Sequence, residues 1–199
     1  MRQILLETKR LRLRRFTRSD VDYLFALDND PEVMRYLNGG VSTPRQVIEQ
    51  EILPEFMVVD PARPQFGFWA AEMKVSGEFV GWFSLRPLPE NHFHAALGYR
   101  LARTFWGRGL ATEGVRALIR HGFAELELER VVATTYEDNV ASQRVMQKVG
   151  MTLVRRFRLT LEDLRGVDTF HTDEVEIWDG DDVEYALEKI AWEKQHCDS

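Results

Sequence analysis

Hydrophobic residues along the chain recur at two spacings, and this predicts an alternation of strands and helices. Leu11 and Leu13 alternate with arginines, which is typical of a half-buried strand over residues 10–16. Similar patterns predict six further strands, over residues 66–73, 79–85, 94–101, 130–136, 152–158 and 183–187. The Ser76-Gly77 pair between the second and third strands indicates a hairpin turn.

Helices are predicted in most of the intervals between these strands. Ser19 is the expected N-cap of a first helix over residues 20–28. The further helices are predicted to begin at Pro31 and at Thr43-Pro44, and to span residues 109–125 and 140–149. Residues 159–182 are polar without a clear period, so we interpret them as a long loop. The order of elements indicates one mixed α/β domain over residues 1–199.

Composition narrows the class of protein. The 199 residues are 44% hydrophobic and 29% charged, which is an ordinary globular balance. No apolar run approaches the roughly 18 residues of a membrane span, and the basic N-terminal segment differs from a secretory signal. The single cysteine, Cys197, argues against a disulfide framework and a cysteine-based zinc site. We therefore expect a soluble cytoplasmic protein, monomeric or homodimeric, that binds no membrane.

Charge is unevenly distributed along the chain. The net charge of −6 argues against a nucleic-acid partner. The basic run over residues 9–18 fits an RNA-binding arm less well than a strand, because leucines alternate within it. Residues 100–121 carry five arginines and one acid, whereas residues 161–184 carry ten acids and one base. These stretches predict a polyanionic ligand and a cationic partner respectively, unless they are solvated faces.

The most informative motif is a strand that runs into two glycines and then a helix. Gly107 and Gly109 leave main-chain N–H groups open to a ligand, and the helix start adds partial positive charge. The motif predicts a cradle for a phosphate or pyrophosphate, although the same Gly-x-Gly pattern also occurs where a tight turn joins a strand to a helix. No Gly-Lys-Ser or Gly-Lys-Thr follows, and Thr112 replaces the third glycine of a dinucleotide fingerprint. A second motif places Asn139 as a helix N-cap, with Ser142 one turn later.

Together these motifs resemble the GNAT acetyltransferase superfamily, in particular the branch of the RimJ and RimL ribosomal-protein N-terminal acetyltransferases. The residues that carry the resemblance are Trp106 to Ala111, Asn139, Ser142, Gly150 and Met151. Residues 6–25 resemble the first strand and helix of that branch, and residues 183–193 resemble its last strand. The resemblance implies a mostly antiparallel, seven-stranded central sheet that is flanked by helices and splayed between strands four and five.

The resemblance also implies acetyl-coenzyme A (acetyl-CoA) as the cosubstrate. The implied contacts are Tyr99, Arg100, Leu101, Arg103, Phe105, Trp106, Gly107, Arg108, Gly109, Leu110, Ala111, Thr112, Asn139 and Ser142. The amides of residues 105–111 would hold the pyrophosphate, and Arg103 and Arg108 would add positive charge. The pantetheine arm would pair with residues 99–101 and reach Asn139. The amide of Leu101, within that strand end, would donate to the thioester oxygen.

The implied reaction is direct attack by a primary amine on the thioester in a ternary complex. The acceptor would be a protein N-terminus or a small-molecule amine. A peptide α-amine, with a pKa of about 8, loses its proton more easily than a lysine-type amine at about 10.4. Cys197 lacks an activating pattern, which argues against a covalent intermediate.

Two residues that the family commonly uses in catalysis are replaced. Met146 stands where a tyrosine often acts as the acid, and Ala96 where a glutamate often acts as the base. Ser142 is then the predicted acid, with Tyr136 less favoured. The alternatives for the base are Glu72, Glu90, Asp138 and a water molecule, and we take Glu72 as the candidate. These replacements also leave a second function open, an acyl-CoA-binding module with little or no catalysis.

Two remaining groups of residues favour ordinary structural roles. His92 and His94 share a strand face, but no third ligand is evident, so no metal is predicted. Trp69, Trp82 and Phe83 are candidates to line an acceptor pocket, although strand aromatics more often belong to a core.

Overall fold

The computed structural model describes residues 3–158 and 180–197 of the chain. Its strands are β1 Ile4–Glu7, β2 Leu11–Arg14, β3 Gly67–Met73, β4 Phe79–Leu88, β5 Asn91–Leu101, β6 Arg130–Tyr136, β7 Thr152–Phe157 and β8 Asp182–Glu188. Its helices are α1 Val21–Asp28, α2 Pro31–Asn38, α3 Arg45–Val47, α4 Leu53–Phe56, α5 Leu110–Glu125, α6 Val140–Lys148 and α7 Lys189–Cys197. Residues 159–179, most of the predicted loop and of the acidic stretch, lie outside the described residues.

All of these strands belong to one sheet in the order β1-β2-β3-β4-β5-β6-β8-β7, and only β5 and β6 pair in parallel. The predicted fold class, a mostly antiparallel sheet flanked by helices, is confirmed. The sheet has eight strands in the described part of the chain, whereas seven were expected. The additional strand is β1, which pairs with β2 across a turn at residues 8–10.

The sheet opens between its two parallel neighbours. β5 and β6 pair only where residues 94–96 lie beside residues 130–132. Beyond these pairs β5 continues to Leu101 and β6 to Tyr136 without further pairing between them. The implied splay between the fourth and fifth predicted strands is therefore present, and it opens toward the carboxyl ends of both strands.

Helices cover both faces of the sheet because side chains alternate along each strand. In β3, Trp69 and Ala71 pack with the core under α5, whereas Phe68 and Ala70 pack with the core under α1 to α4. Helix α5 lies very close to the sheet at Gly114, where an added Cβ would lie 2.3 Å from the Phe83 ring. The contact fixes the distance between the start of α5 and the end of β5.

The helical segment that leads into α1 begins two residues earlier than predicted. A 3₁₀ turn over Arg18–Asp20 precedes α1, and the Thr17 N–H donates to the Asp20 carboxylate at 2.8 Å. Thr17 therefore occupies the position that the sequence assigned to Ser19, because the extra turn shifts the start by two residues. The sequence also predicts that Pro54 interrupts the helix that begins at Thr43-Pro44, but Pro54 lies in the first turn of α4, where no N–H is required.

A buried cluster of charges joins the first strands to the start of α1. Arg14 donates to Asp20 at 2.7 Å and to Glu72 at 2.6 Å, and its side chain is fully buried. Burial raises the pKa of Asp20, but the hydrogen bonds from Arg14 and Thr17 outweigh it and lower that pKa below its usual range. The carboxylates and the guanidinium thus satisfy one another away from water.

Replacing Arg14 with methionine should strongly destabilise the fold, because it leaves two buried carboxylates without their cation. We expect the free energy of unfolding in urea to fall by about 3–5 kcal/mol. The matched control is Arg45→Met, which removes exposed ion pairs to Asp22 and Glu49 and should change stability little. Similar, small losses in both variants would contradict a structural role for the cluster.

Candidate active site

The turn between β5 and α5 is built so that its main chain faces outward. A 3₁₀ turn over Arg103–Phe105 follows β5, and Gly107 and Gly109 then adopt φ of +72° and +74°. Residues with a Cβ rarely adopt these angles. A Cβ on Gly107 would meet no atom within 4 Å, so open space lies in front of it.

Main-chain donors accumulate at this turn. Within the described residues, the N–H groups of residues 107–112 make no hydrogen bond of good geometry to protein oxygens, whereas the Glu113 N–H donates to the Gly109 carbonyl at 3.0 Å. The first N–H groups of any helix lack partners in their own helix and carry partial positive charge. Unpaired donors beside open space fit an anionic group such as a pyrophosphate.

The open edge of β5 continues from this turn. The Ala102 N–H donates to the Val80 carbonyl at 2.9 Å, which makes this a hydrogen-bonded pair of the antiparallel β4–β5 ladder. Hydrogen-bonded and non-bonded pairs alternate, so the main-chain groups of Leu101 and Tyr99 point away from β4 and into the splay. Two of the residues predicted to meet the cosubstrate therefore offer main-chain groups to the gap.

The three arginines among the predicted contacts all have side-chain partners within the protein. The main-chain groups of Arg100 face β4, and its guanidinium pairs with Asp28 of α1. Arg103 pairs with Asp30 at 3.2 Å. Arg108 lies over the Phe105 ring at 5.4 Å and remains exposed at the turn. Arg108 is thus the better placed of the two predicted turn cations.

The Trp106 side chain makes a hydrogen bond to one main-chain group at the end of β5. Its indole Nε1–H donates to the Leu101 carbonyl at 2.8 Å, while 46% of the residue stays exposed. The Leu101 N–H lies on the same open side of β5 as this carbonyl, by the alternation of the ladder. At Leu101 the N–H is therefore open to the gap, whereas the carbonyl is already engaged by the indole.

Asn139 and Ser142 lie across the gap from β5. Asn139 caps α6, because its Oδ1 accepts from the Ser142 N–H at 3.1 Å. The Ser142 hydroxyl is 2.8 Å from the Tyr99 hydroxyl, a contact between α6 and β5 that the sequence analysis missed. Burial raises the pKa of Tyr99 to about 12, although the Ser142 hydrogen bond lowers it. The Tyr99 hydroxyl therefore stays protonated at neutral pH.

The structure argues against Glu72 as a base. Glu72 is buried on β3, two strands away from β5, and its Oε1 accepts from Arg14 in the buried cluster. Glu90 lies in the β4–β5 turn, at the opposite end of β5 from Leu101. Asp138 is exposed beside Asn139. Of the three carboxylates considered, only Asp138 lies at the open end of the splay.

Another carboxylate near that end was not considered from the sequence. Asp182 opposes Tyr136 in the β6–β8 ladder, and β6 runs parallel to β5, so both lie at the end of the sheet where Leu101 lies. Burial raises the pKa of Asp182 to about 6, with further increases from the charges of Asp181 and Glu137. Its position in a long acidic stretch gave no signal that distinguished it from its neighbours.

The remaining candidates have structural roles. Trp69, Trp82 and Phe83 are buried core residues, and Met146 is buried as well. His92 Nδ1 lies 3.3 Å from Arg63 Nη1, and His94 Nε2 lies 3.2 Å from Asn91 Nδ2. Among residues 3–158 and 180–197 no three histidine, cysteine or acidic side chains come together as metal ligands would. No helix in these same ranges has the length and apolar character needed to cross a bilayer.

Sequence relatives share most of this chain. Residues 10–152 match the family profile described as Acetyltransferase (GNAT) domain. The chain is 35% identical to the FsC-acetyl coenzyme A-N(2)-transacetylase of Aspergillus fumigatus, over 76% of this chain and 66% of that protein. It is 36% identical to the uncharacterized protein YkkB of Bacillus subtilis, over 77% of this chain and 88% of that protein.

Solved structures share the architecture. RimL, a ribosomal L7/L12 alpha-N-protein acetyltransferase in complex with coenzyme A, matches with a TM-score of 0.72 at 20% identity, over 94% of this chain and 98% of that one. At this identity the likeness shows the fold alone. The family profile and the sequence relatives confirm the predicted acyltransferase class: the chain belongs to the GNAT family of acetyl-CoA-dependent N-acetyltransferases.

Proposed function

We propose that this chain binds acetyl-CoA at the β5–α5 turn and transfers its acetyl group directly to a primary amine in a ternary complex. The observation that carries the proposal is the alignment of two sets of open main-chain donors, at Tyr99 and Leu101 on the edge of β5 and at residues 107–112 before and within the first turn of α5. The N–H groups of Phe105 and Trp106, which the sequence had assigned to the cradle, instead donate to the carbonyls of Ala102 and Arg103. A long ligand with an extended arm and a diphosphate matches these two sets of donors in both shape and charge.

Each part of the site has a distinct task in this proposal. The N–H groups of residues 107–112 bind the pyrophosphate, and Arg108 adds a positive charge beside them. The main-chain groups of Leu101, at the turn end of β5, pair with the pantetheine arm as a neighbouring strand would. The Tyr99 N–H lies one step farther from the pyrophosphate and donates to the thioester oxygen, where negative charge develops as the amine attacks; the sequence had assigned this donor to Leu101. Asn139 holds the far side of the arm through its amide Nδ2.

The Tyr99–Ser142 pair handles the proton that the departing thiolate needs. Ser142 donates its hydroxyl proton to the thiolate and takes up the proton of the Tyr99 hydroxyl, 2.8 Å away. The Tyr99 oxygen regains a proton from water, which receives the one that the amine gives up. The amine loses its proton to water or to Asp182. With a pKa of about 6, Asp182 is ionised at neutral pH and is a stronger base than an ordinary carboxylate. This arrangement supplies an acid and a base without the missing family residues at Ala96 and Met146.

The acceptor class that we infer is a protein N-terminus or a small-molecule amine, within the branch of RimJ and RimL. The 31% identity to the putative ribosomal N-acetyltransferase YdaF of Bacillus subtilis supports the first, and the 24% identity to the spermidine N(1)-acetyltransferase of Escherichia coli supports the second. Release of the coenzyme A thiol in the presence of a panel of peptide and small amines tests the activity. Saturable binding of acetyl-CoA without turnover on any amine would favour a binding module instead.

The phosphate cradle is tested by Gly109→Asp. We expect coenzyme A affinity to fall by at least about 100-fold in calorimetry, because a carboxylate beside the cradle repels the diphosphate. Its Cβ would also lie 3.7 Å from Arg10 Nη2, so the carboxylate would compete for that guanidinium. Gly77→Asp is the matched control, since Gly77 has a φ of +72° and open space in front of it, at the β3–β4 turn. Both variants carry the same strain, so an equal loss of affinity would place the effect in stability rather than in the site.

The proton relay is tested by Ser142→Ala and Tyr99→Phe. We expect kcat to fall about 100-fold and about tenfold respectively, with the affinity for coenzyme A unchanged, because both groups act on the leaving thiolate. The double variant should lose no more than Ser142→Ala alone, since Tyr99 acts through Ser142. Independent, multiplying losses in kcat would contradict a shared relay.

A further inference from the structure

The turn between β1 and β2 is bonded to the first turn of α5. The Thr8 hydroxyl and the Arg10 N–H both donate to Glu113 Oε1, at 2.5 and 2.8 Å. Arg10 Nε donates to Glu113 Oε2 at 2.7 Å. The Thr8 hydroxyl oxygen also accepts from the Leu11 N–H at 2.8 Å, which holds the β1–β2 turn in shape. These contacts join segments that are more than one hundred residues apart in sequence.

Arg10 also reaches the glycine turn itself. Its Nη1 donates to the Arg108 carbonyl at 2.9 Å. In a trans peptide the C=O and N–H groups point in opposite directions, so the Gly109 N–H is turned away from Arg10. Gly109 has no Cβ and a φ of +74°, and such a residue opposes rotation of the preceding peptide only weakly. The hydrogen bond from Arg10 therefore selects one of two accessible orientations.

We propose that Arg10, held by Glu113, is a positioning residue that keeps the Gly109 N–H turned toward the pyrophosphate of acetyl-CoA. The inference rests on the proposed function of the turn. Without Arg10, the Arg108 carbonyl is free to rotate into the cradle, where its partial negative charge opposes the phosphates. The role concerns the cosubstrate's diphosphate and leaves the acetyl-transfer chemistry itself unchanged.

Glu113 is suited to hold Arg10 in place. Burial raises the pKa of its carboxyl, but the hydrogen bonds from Thr8 and Arg10 outweigh this and lower it below its usual range. The carboxylate therefore stays charged at neutral pH and keeps Arg10 as its partner. Because Glu113 lies in the first turn of α5, its negative charge is also favoured by the helix dipole.

The experiment compares two acetyl donors in Arg10→Gln. The KM for acetyl-CoA should rise about tenfold, the effect of one hydrogen bond to a charged group, while kcat at saturation stays within about twofold. The KM for S-acetylpantetheine, which lacks the diphosphate, should not change. Glu113→Gln should raise the KM for acetyl-CoA in the same direction, and the double variant should add little to Arg10→Gln.

Arg12→Gln is the matched control, because Arg12 lies two residues farther along, on β2, and its guanidinium pairs with Glu7 at 2.7 Å. An unchanged KM for acetyl-CoA in Arg10→Gln would overturn the inference. An equal rise with both acetyl donors would also overturn it, since general damage to the fold affects both. Failure of the wild-type chain to bind coenzyme A would instead overturn the proposed function.

Discussion

Hydrogen bonding of the main chain at β5 is the constraint from which the site follows. β5 pairs with β4 along its length, but with β6 only over residues 94–96. Main-chain N–H and C=O groups away from water require partners, so a strand end that lacks one is either solvated or occupied by a ligand. The separation of β5 from β6 thus turns an ordinary parallel pair into a slot with the hydrogen-bonding pattern of a missing strand.

The position of α5 links this slot to the turn beside it. Gly114 lets the helix lie directly against Phe83, and the contact leaves no room for a closer approach to the sheet. The glycine turn must therefore bridge a fixed distance between Leu101 and Leu110, and its left-handed residues make that bridge possible. Helix packing and the geometry of the turn are consequently parts of one arrangement, in which a change at the core alters the donors at the surface.

Local patterns predicted most elements, whereas contacts distant in sequence were not accessible. The strand at residues 10–16 and the glycine turn followed from alternation and spelling. β1 was missed because Ile4, Leu5 and Leu6 are consecutive apolar residues, which show no alternation. Glu72 was taken for a base because nothing in its neighbourhood along the chain shows that Arg14, 58 residues away, binds it. The Tyr99–Ser142 contact was missed for the same reason, since 43 residues separate its partners.

The bond between the Trp106 indole and the Leu101 carbonyl gives the mouth of the slot a chemical direction. An extended ligand meets an open N–H there, beside a carbonyl that the indole already engages. One step deeper, at Tyr99, it meets a main-chain N–H and C=O that both face the gap. A molecule that presents a carbonyl oxygen at the mouth can accept a hydrogen bond from the Leu101 N–H. One that presents an amide N–H there faces another donor and forms no hydrogen bond with it. Mimics with a reversed amide bond should for this reason be poor occupants, even when their length and charge are correct.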